Sequence, residues 1–120
     1  MIGRVREEIE LMQRHVQVLR AVVSNQPIGI MKLSELLDLP FHRIRYSLRI
    51  LEQLGYIQAS PAGAVATPLS EELLRDLDGE IDDMIALLLQ MKREGCGPGE
   101  EKTEGGQKPS ATFNTAKGNL

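Results

Sequence analysis

Between Pro40 and Ile57 the chain reads PFHRIRYSLRILEQLGYI, and the spacing of its apolar residues allows very few folds. Residues three and four apart share one face of a helix. Phe41, Ile44, Leu48, Leu51 and Leu54 therefore form one apolar stripe, while His42, Arg43, Arg45, Tyr46 and Arg49 point elsewhere. One side belongs to a core and the other is a cationic, hydrogen-bonding surface. Pro40, with a fixed φ and no N–H, suits the first turn of this helix, which spans 40–54. Gly55 suits a left-handed stop, and Tyr56 and Ile57 open an extended segment.

The neighbouring segments have the signals of elements that enclose such a helix. A first helix is expected from about Gly3 to Ser24, ended by Asn25, Gln26 and Pro27. Ile2, Val5, Ile9, Met12, Val16, Leu19 and Val23 recur at alternating spacings of three and four, a seam that needs a partner helix. Leu11, Val18, Ala21 and Val22 widen the apolar surface toward its C-terminal end. That half is expected to pack on the domain while the N-terminal half projects. Ile28 to Ile30 reads as a short extended link. Met31 to Leu39 reads as a second short helix with Leu33, Leu36 and Leu37 inward, stopped because Leu39 precedes a proline. Two short helices joined by a tight turn, the second basic, make a helix-turn-helix.

Beyond Gly55, Tyr56–Ala59 and Ala64–Thr67 are expected strands of a hairpin, turned through Ser60, Pro61, Ala62 and Gly63. Thr67 is placed to cap a final helix over 68–93, with Glu71 and Glu72 at its positive dipole end. In that helix Leu74, Leu77, Ile81, Met84, Leu88 and Met91 form a second three-four seam. From residue 95 to 120 the chain is rich in glycine and without periodicity, which predicts a disordered tail after a single domain over 1–94.

Composition narrows the class further. Hydrophobic residues make up 42% of the 120 but aromatics only 3%, so the core must be built from Leu, Ile, Val and Met, which favours helices. The expected fold class is mainly α with a small β-hairpin. No apolar run approaches the roughly 18 to 20 residues that cross a bilayer, and MIGRVREEIE is charged rather than signal-like, so the expectation is a cytoplasmic protein without membrane contact. Net charge is −3, yet Pro40 to Ile50 carries three arginines and no acid, whereas Glu71 to Asp83 carries seven acids and one arginine. Local sign matters more here than the total.

The order of helix, helix, turn, basic helix ending in LEQLGYI, hairpin and long helix resembles the winged-helix transcriptional regulators. The resemblance is to the broad MarR, PadR and ArsR-like group and particularly its small archaeal members. It covers about Val16 to Arg93. Its most specific stretch is LSELLDLPFHRIRYSLRILEQLGYI, where the spacing of Leu36, Ile44, Leu48, Leu51, Gly55 and Ile57 is similar to the family core pattern. The resemblance implies a homodimer that binds double-stranded DNA, with the basic helix in the major groove and a wing against the flanking backbone. It puts His42, Arg43, Arg45, Tyr46 and Arg49 at the DNA, and on the wing Ser60 and Thr67 are the residues able to donate neutral hydrogen bonds. It puts Val5, Ile9, Met12, Leu77, Ile81, Met84, Leu88 and Met91 at the dimer interface. Ligand-responsive relatives also hold a small-molecule effector between terminal helices and winged core; the sequence names none.

The chain departs from the family pattern at the wing, because Gln58 to Thr67 contains no Lys or Arg. That departure keeps a second reading open: a winged-helix protein-interaction module in a transcription or chromatin assembly, without direct DNA readout. Catalysis has nothing to carry it, since two isolated histidines and one cysteine make no constellation. No cofactor or metal is implied. Asp76–Asp83 reads as a solvated helix face, because Gly79 stands fourth where a calcium loop needs glycine sixth. His15 reads as a surface or interface residue, and Cys96 as an inert thiol.

Overall fold

The computed structural model describes residues 1–96, with side chains through Arg93. In chain order these residues form α1 (Ile2–Asn25), α2 (Ile30–Leu37), α3 (Phe41–Gln53), β1 (Ile57–Ser60), β2 (Gly63–Ala66) and α4 (Pro68–Cys96). The architecture is mainly helical with one two-stranded antiparallel hairpin. No helix among the described residues is long and apolar enough to cross a membrane. The expected tail beyond Cys96, and the Cys96 thiol itself, lie outside the described residues.

Contacts divide the chain into two units that meet between Arg75 and Asp76, inside α4. In the first unit, Val18, Leu19 and Val22 of α1, Leu33 of α2 and Ile44 of α3 are completely buried, and Ile28, Leu51, Ile57 and Ala64 nearly so. Full burial of such a side chain contributes roughly 1.5–3 kcal/mol, so this aliphatic cluster supplies most of the drive to fold. Leu73 and Leu74, in the first turns of α4, pack against it. Residues 2–10 of α1 are all exposed, because the core is met only by the helix's C-terminal half.

The two turns that set the direction of α3 are both closed by hydrogen bonds. At the end of α2, Asp38 takes a left-handed conformation (φ 55°) and its amide donates to the Ser34 carbonyl. Ser34 Oγ then donates to the Leu39 carbonyl at 2.6 Å, which fixes the turn into Pro40. At the end of α3, Gly55 has φ 88°. Its amide donates to the Glu52 carbonyl at 3.0 Å, and the Tyr56 amide donates to the Leu51 carbonyl at 2.9 Å. This paired pattern needs a positive φ that glycine adopts without a Cβ penalty, so the sequence LGYI converts helix into strand within three residues.

The hairpin pairs Ile57 with Ala66, Gln58 with Val65, Ala59 with Ala64 and Ser60 with Gly63. Ile28 joins it as a single antiparallel bridge to Ala64, with N–H···O distances of 3.1 and 2.8 Å in the two directions. Of the short extended link expected over Ile28–Ile30, Ile28 is therefore a single-residue bridge that ties the end of α1 to β2, while Ile30 already begins α2. Gly63 (φ 132°) is what makes the approach close enough: a Cβ there would lie 2.6 Å from the Ile28 carbonyl carbon.

Several expectations need correction. Leu36, Phe41 and Leu54 were placed on inward stripes, but they are exposed at 54%, 45% and 58%. α2 is only eight residues long and meets the core mainly through Leu33, while Phe41 and Leu54 sit at the ends of α3, beyond its edge. The second helix ends at Leu37 rather than Leu39, and the last continues through Gly95 to Cys96. Thr67 does not act as expected at the start of α4. Its hydroxyl donates to the Gly55 carbonyl at 2.6 Å, while its carbonyl accepts from the Ser70 amide and hydroxyl.

In the second unit, the α4 residues from Asp76 onward form a helix whose apolar side chains are largely uncovered. Leu77 is buried and Ile81 half-buried, but Met84, Ile85, Leu87, Leu88, Leu89 and Met91 are all exposed. Asp76, Asp78, Glu80, Asp82 and Asp83 are exposed on the same stretch.

Candidate nucleic-acid interface

α3 is anchored from behind by Ile44, Ser47 and Leu51, all buried. Spaced by three and four, they occupy one side of the helix, so the residues between them must project. His42, Arg43, Arg45, Tyr46 and Arg49 are accordingly exposed, Tyr46 at 39%. The hydrogen bonds made by side chains among the described residues include none from Arg43, Arg45 or Arg49. Their guanidinium groups are thus presented to solvent rather than spent within the fold.

These three arginines do not form one cluster. Arg45 and Arg49, one turn apart, line an open groove of about 320 Å³ between α3 and the hairpin. Its floor is apolar, with Ile28, Leu48, Ile57 and Ala64, and Glu52 stands at its edge. Arg43, two residues before Arg45 and so about 200° around the helix, lies on the opposite flank. A second hollow, about 470 Å³, lies between the end of α1 and α2 and is lined by Asn25, Pro27, Lys32, Glu35 and Leu36 among others.

On the flank toward α1 the structure assembles a polar cluster. Ser47 is completely buried, and its Oγ accepts from Arg14 Nε at 3.3 Å and lies 2.8 Å from His15 Nδ1. The Arg14 guanidinium carbon stands 6.0 Å from the Tyr46 ring centroid, at the outer limit of a cation–π contact. The His15 and Tyr46 rings are 5.9 Å apart and tilted by 37°. Burial first, and the Arg14 charge second, hold the His15 imidazole below its ordinary value of 6.5. Because Arg14 already donates to Ser47 Oγ, the hydroxyl proton is free to go to His15 Nδ1, which assigns the neutral ring its proton on Nε2.

A serine hydroxyl beside a histidine is nucleophile geometry. Here Ser47 has no exposed surface, so no substrate reaches its oxygen and the pair serves the packing of α3 on α1. Among the described residues no group of three or more His, Cys, Asp or Glu is placed to hold a metal ion.

No protein-family model matches this chain, and comparison with characterised proteins gives no match. The site therefore stands on its geometry alone.

In the hairpin, Ser60 Oγ donates its single proton to the Gly63 carbonyl at 2.6 Å. That corrects the expectation that Ser60 offers a neutral donor outward: its oxygen is left as an acceptor, which a phosphate does not attract. Along the two seams, Val5, Ile9, Met84, Leu88 and Met91 are exposed, and Met12 and Ile81 are half-buried. Leu77 is buried, at 5% exposure.

Sequence reasoning missed Ser47 and Arg14 and read His15 as a surface or interface residue. The signal was present. Ser47 stands three after Ile44 and four before Leu51, which places a hydroxyl on the buried face, and a buried hydroxyl requires partners.

Proposed function

We propose that the chain is a winged-helix transcriptional regulator that binds double-stranded DNA as a homodimer, with α3 in the major groove. The observation that carries this reading is the exposed, acid-free run of Arg43, Arg45 and Arg49 on a helix locked from behind by Ile44, Ser47 and Leu51. α2, the turn at Asp38–Pro40, α3 and the hairpin follow one another in the order a winged helix-turn-helix requires. Arginine at a groove binds guanine O6 and N7 in a bidentate way, and arginine on phosphate fixes register. With its basic residues on both flanks, α3 offers one set to each wall of a groove about 12 Å wide.

The dimer rests on the uncovered seams. Ile2, Val5 and Ile9 of α1, and Met84, Leu88 and Met91 of α4, expose apolar surface at helical spacing that water penalises until a second copy covers it. Two recognition helices would then reach half-sites about 34 Å apart.

The test is fluorescence anisotropy on labelled duplex across a salt series. Log affinity is expected to fall linearly with log salt, as counterion release requires. The Arg45→Ala/Arg49→Ala variant is expected to bind at least ten-fold more weakly. Duplex affinity unchanged by that double substitution removes the assignment.

One observation favours the second reading, a protein-interaction module. The hairpin carries no Lys or Arg, and the Ser60 and Thr67 hydroxyl protons are both spent on backbone carbonyls. Recovery of one stoichiometric protein partner, together with no duplex affinity even at low salt, selects it.

A further inference from the structure

We propose that His15 is a proton-sensitive positioning residue: in its neutral form it accepts the Ser47 proton and holds α3 on α1, and its protonation releases that hold. This rests on the proposed DNA reading for its consequence, though not for its chemistry.

Ser47 Oγ lies at the centre of the α1–α3 contact with no exposed surface, and two polar side chains of α1 reach it, Arg14 Nε at 3.3 Å and His15 Nδ1 at 2.8 Å. Arg14 can only donate. The hydroxyl proton therefore has one acceptor, the lone pair on His15 Nδ1. Adding a proton to that nitrogen turns the acceptor into a donor. Ser47 Oγ, itself without exposed surface, then faces two cationic donors while its own proton has no acceptor. The arrangement is stable in one protonation state of His15 and frustrated in the other.

The surroundings supply no compensating charge. On its own helix the group that acts on His15 is Arg14, a like charge once the ring is protonated. From α3, Tyr46 presents its ring, while Arg43, three residues before it on the same side of the helix, does not enter the causes of the histidine's depressed value. The charged residues of α2, Lys32, Glu35 and Asp38, are exposed and do not enter the causes of the histidine's depressed value, and β2 carries no titratable residue. No carboxylate is thus available to hold an imidazolium in place.

The consequence falls on the surface that α3 presents. Ser47 is flanked by Tyr46 and stands two residues from Arg45 and Arg49. A helix displaced at Ser47 moves all three with it. Affinity for duplex is expected to fall, by more than general charge effects produce, as pH drops through the folded value of His15, which lies below 6.5.

The experiment compares the full chain with His15→Asn, whose Oδ1 can accept from Ser47 at every pH, and with Ser47→Ala. Duplex affinity is measured between pH 5 and 8 at fixed ionic strength, and the ring proton of His15 is followed by NMR over the same range in the absence of DNA. The native chain is expected to lose at least three-fold in affinity relative to His15→Asn as pH falls from 7 through the His15 midpoint that the NMR titration gives. The His15 resonance, assigned by its loss in His15→Asn, is expected to titrate below 6.5 and to move up toward 6.5 in Ser47→Ala. Superimposable affinity profiles for the native chain and His15→Asn overturn the proposal, as does a His15 titration that Ser47→Ala leaves unchanged. If the chain binds no duplex at all, the DNA reading fails, while the titration still decides the latch.

Discussion

Gly63→Ala tests how tightly the hairpin is fastened to the rest of the domain. An added Cβ would stand 2.6, 2.7 and 2.8 Å from the Ile28 carbonyl carbon, oxygen and nitrogen. All three are backbone atoms, so no side chain can swing aside, and the segments must part by roughly half an ångström or more to reach ordinary contact. The two hydrogen bonds between Ile28 and Ala64 are adjacent, at 3.1 and 2.8 Å, and are lost or badly stretched by that movement. Each contributes about 1 kcal/mol net. Forcing alanine to φ 132° adds about 1–2 kcal/mol, offset by less than 1 kcal/mol from the stiffer unfolded chain. The sum is about 3 kcal/mol, a substantial part of the roughly 5–15 kcal/mol by which a domain is stable. Urea denaturation followed by circular dichroism measures it. A Gly63→Ala protein within 1 kcal/mol of the native one would show that the Ile28 bridge does not hold the hairpin.

Other outcomes follow from the same structure. Ile44→Ala removes a completely buried side chain from the back of α3 and is expected to cost about 2–5 kcal/mol by the same assay. Gly79→Ala, where a Cβ meets nothing within 4 Å, is expected to stabilise by about 0.5–1 kcal/mol; a loss of stability there would mean that the site is occupied by a neighbour. His15 has a folded pKa below its unfolded value, so the folded state binds fewer protons over the interval between them. Its contribution is therefore present above pH 6.5 and is lost as pH falls through the folded value, which a comparison of melting temperatures with His15→Asn from pH 5 to 8 reads directly. Ile9→Glu and Leu88→Glu place a charge on each exposed seam and are expected to give a monomer by sedimentation equilibrium. A native chain that is already monomeric at tens of micromolar contradicts the homodimer.

Much of the fold was legible because single residues punctuate it. Gly55 announced the end of α3 and Pro40 its start, and the reciprocal bonds of Ser34 and Leu39 supply the turn that the proline implied. The failures have a common cause. Helical spacing reports which side a residue faces and not how far the core extends, so Leu36, Phe41 and Leu54 fitted the stripe yet lie past its edge. Pairing between Ile28 and Ala64, 36 positions apart, has no local signature beyond the glycine that permits it. Ser47 was hidden by its arginine neighbours: on α3 the charge pattern drew attention to the outer face, while the one polar residue on the inner face carried the contact with α1.

The account stands or falls on whether Arg45 and Arg49 grip nucleic acid. The measurement is the slope of log affinity against log salt for the native chain and for Arg45→Ala and Arg49→Ala separately, on duplex DNA. A phosphate-contacting arginine lowers the slope by about one unit when removed, and a base-contacting one costs about 1–3 kcal/mol on the preferred sequence. Two single variants whose affinities and slopes match the native chain would contradict it.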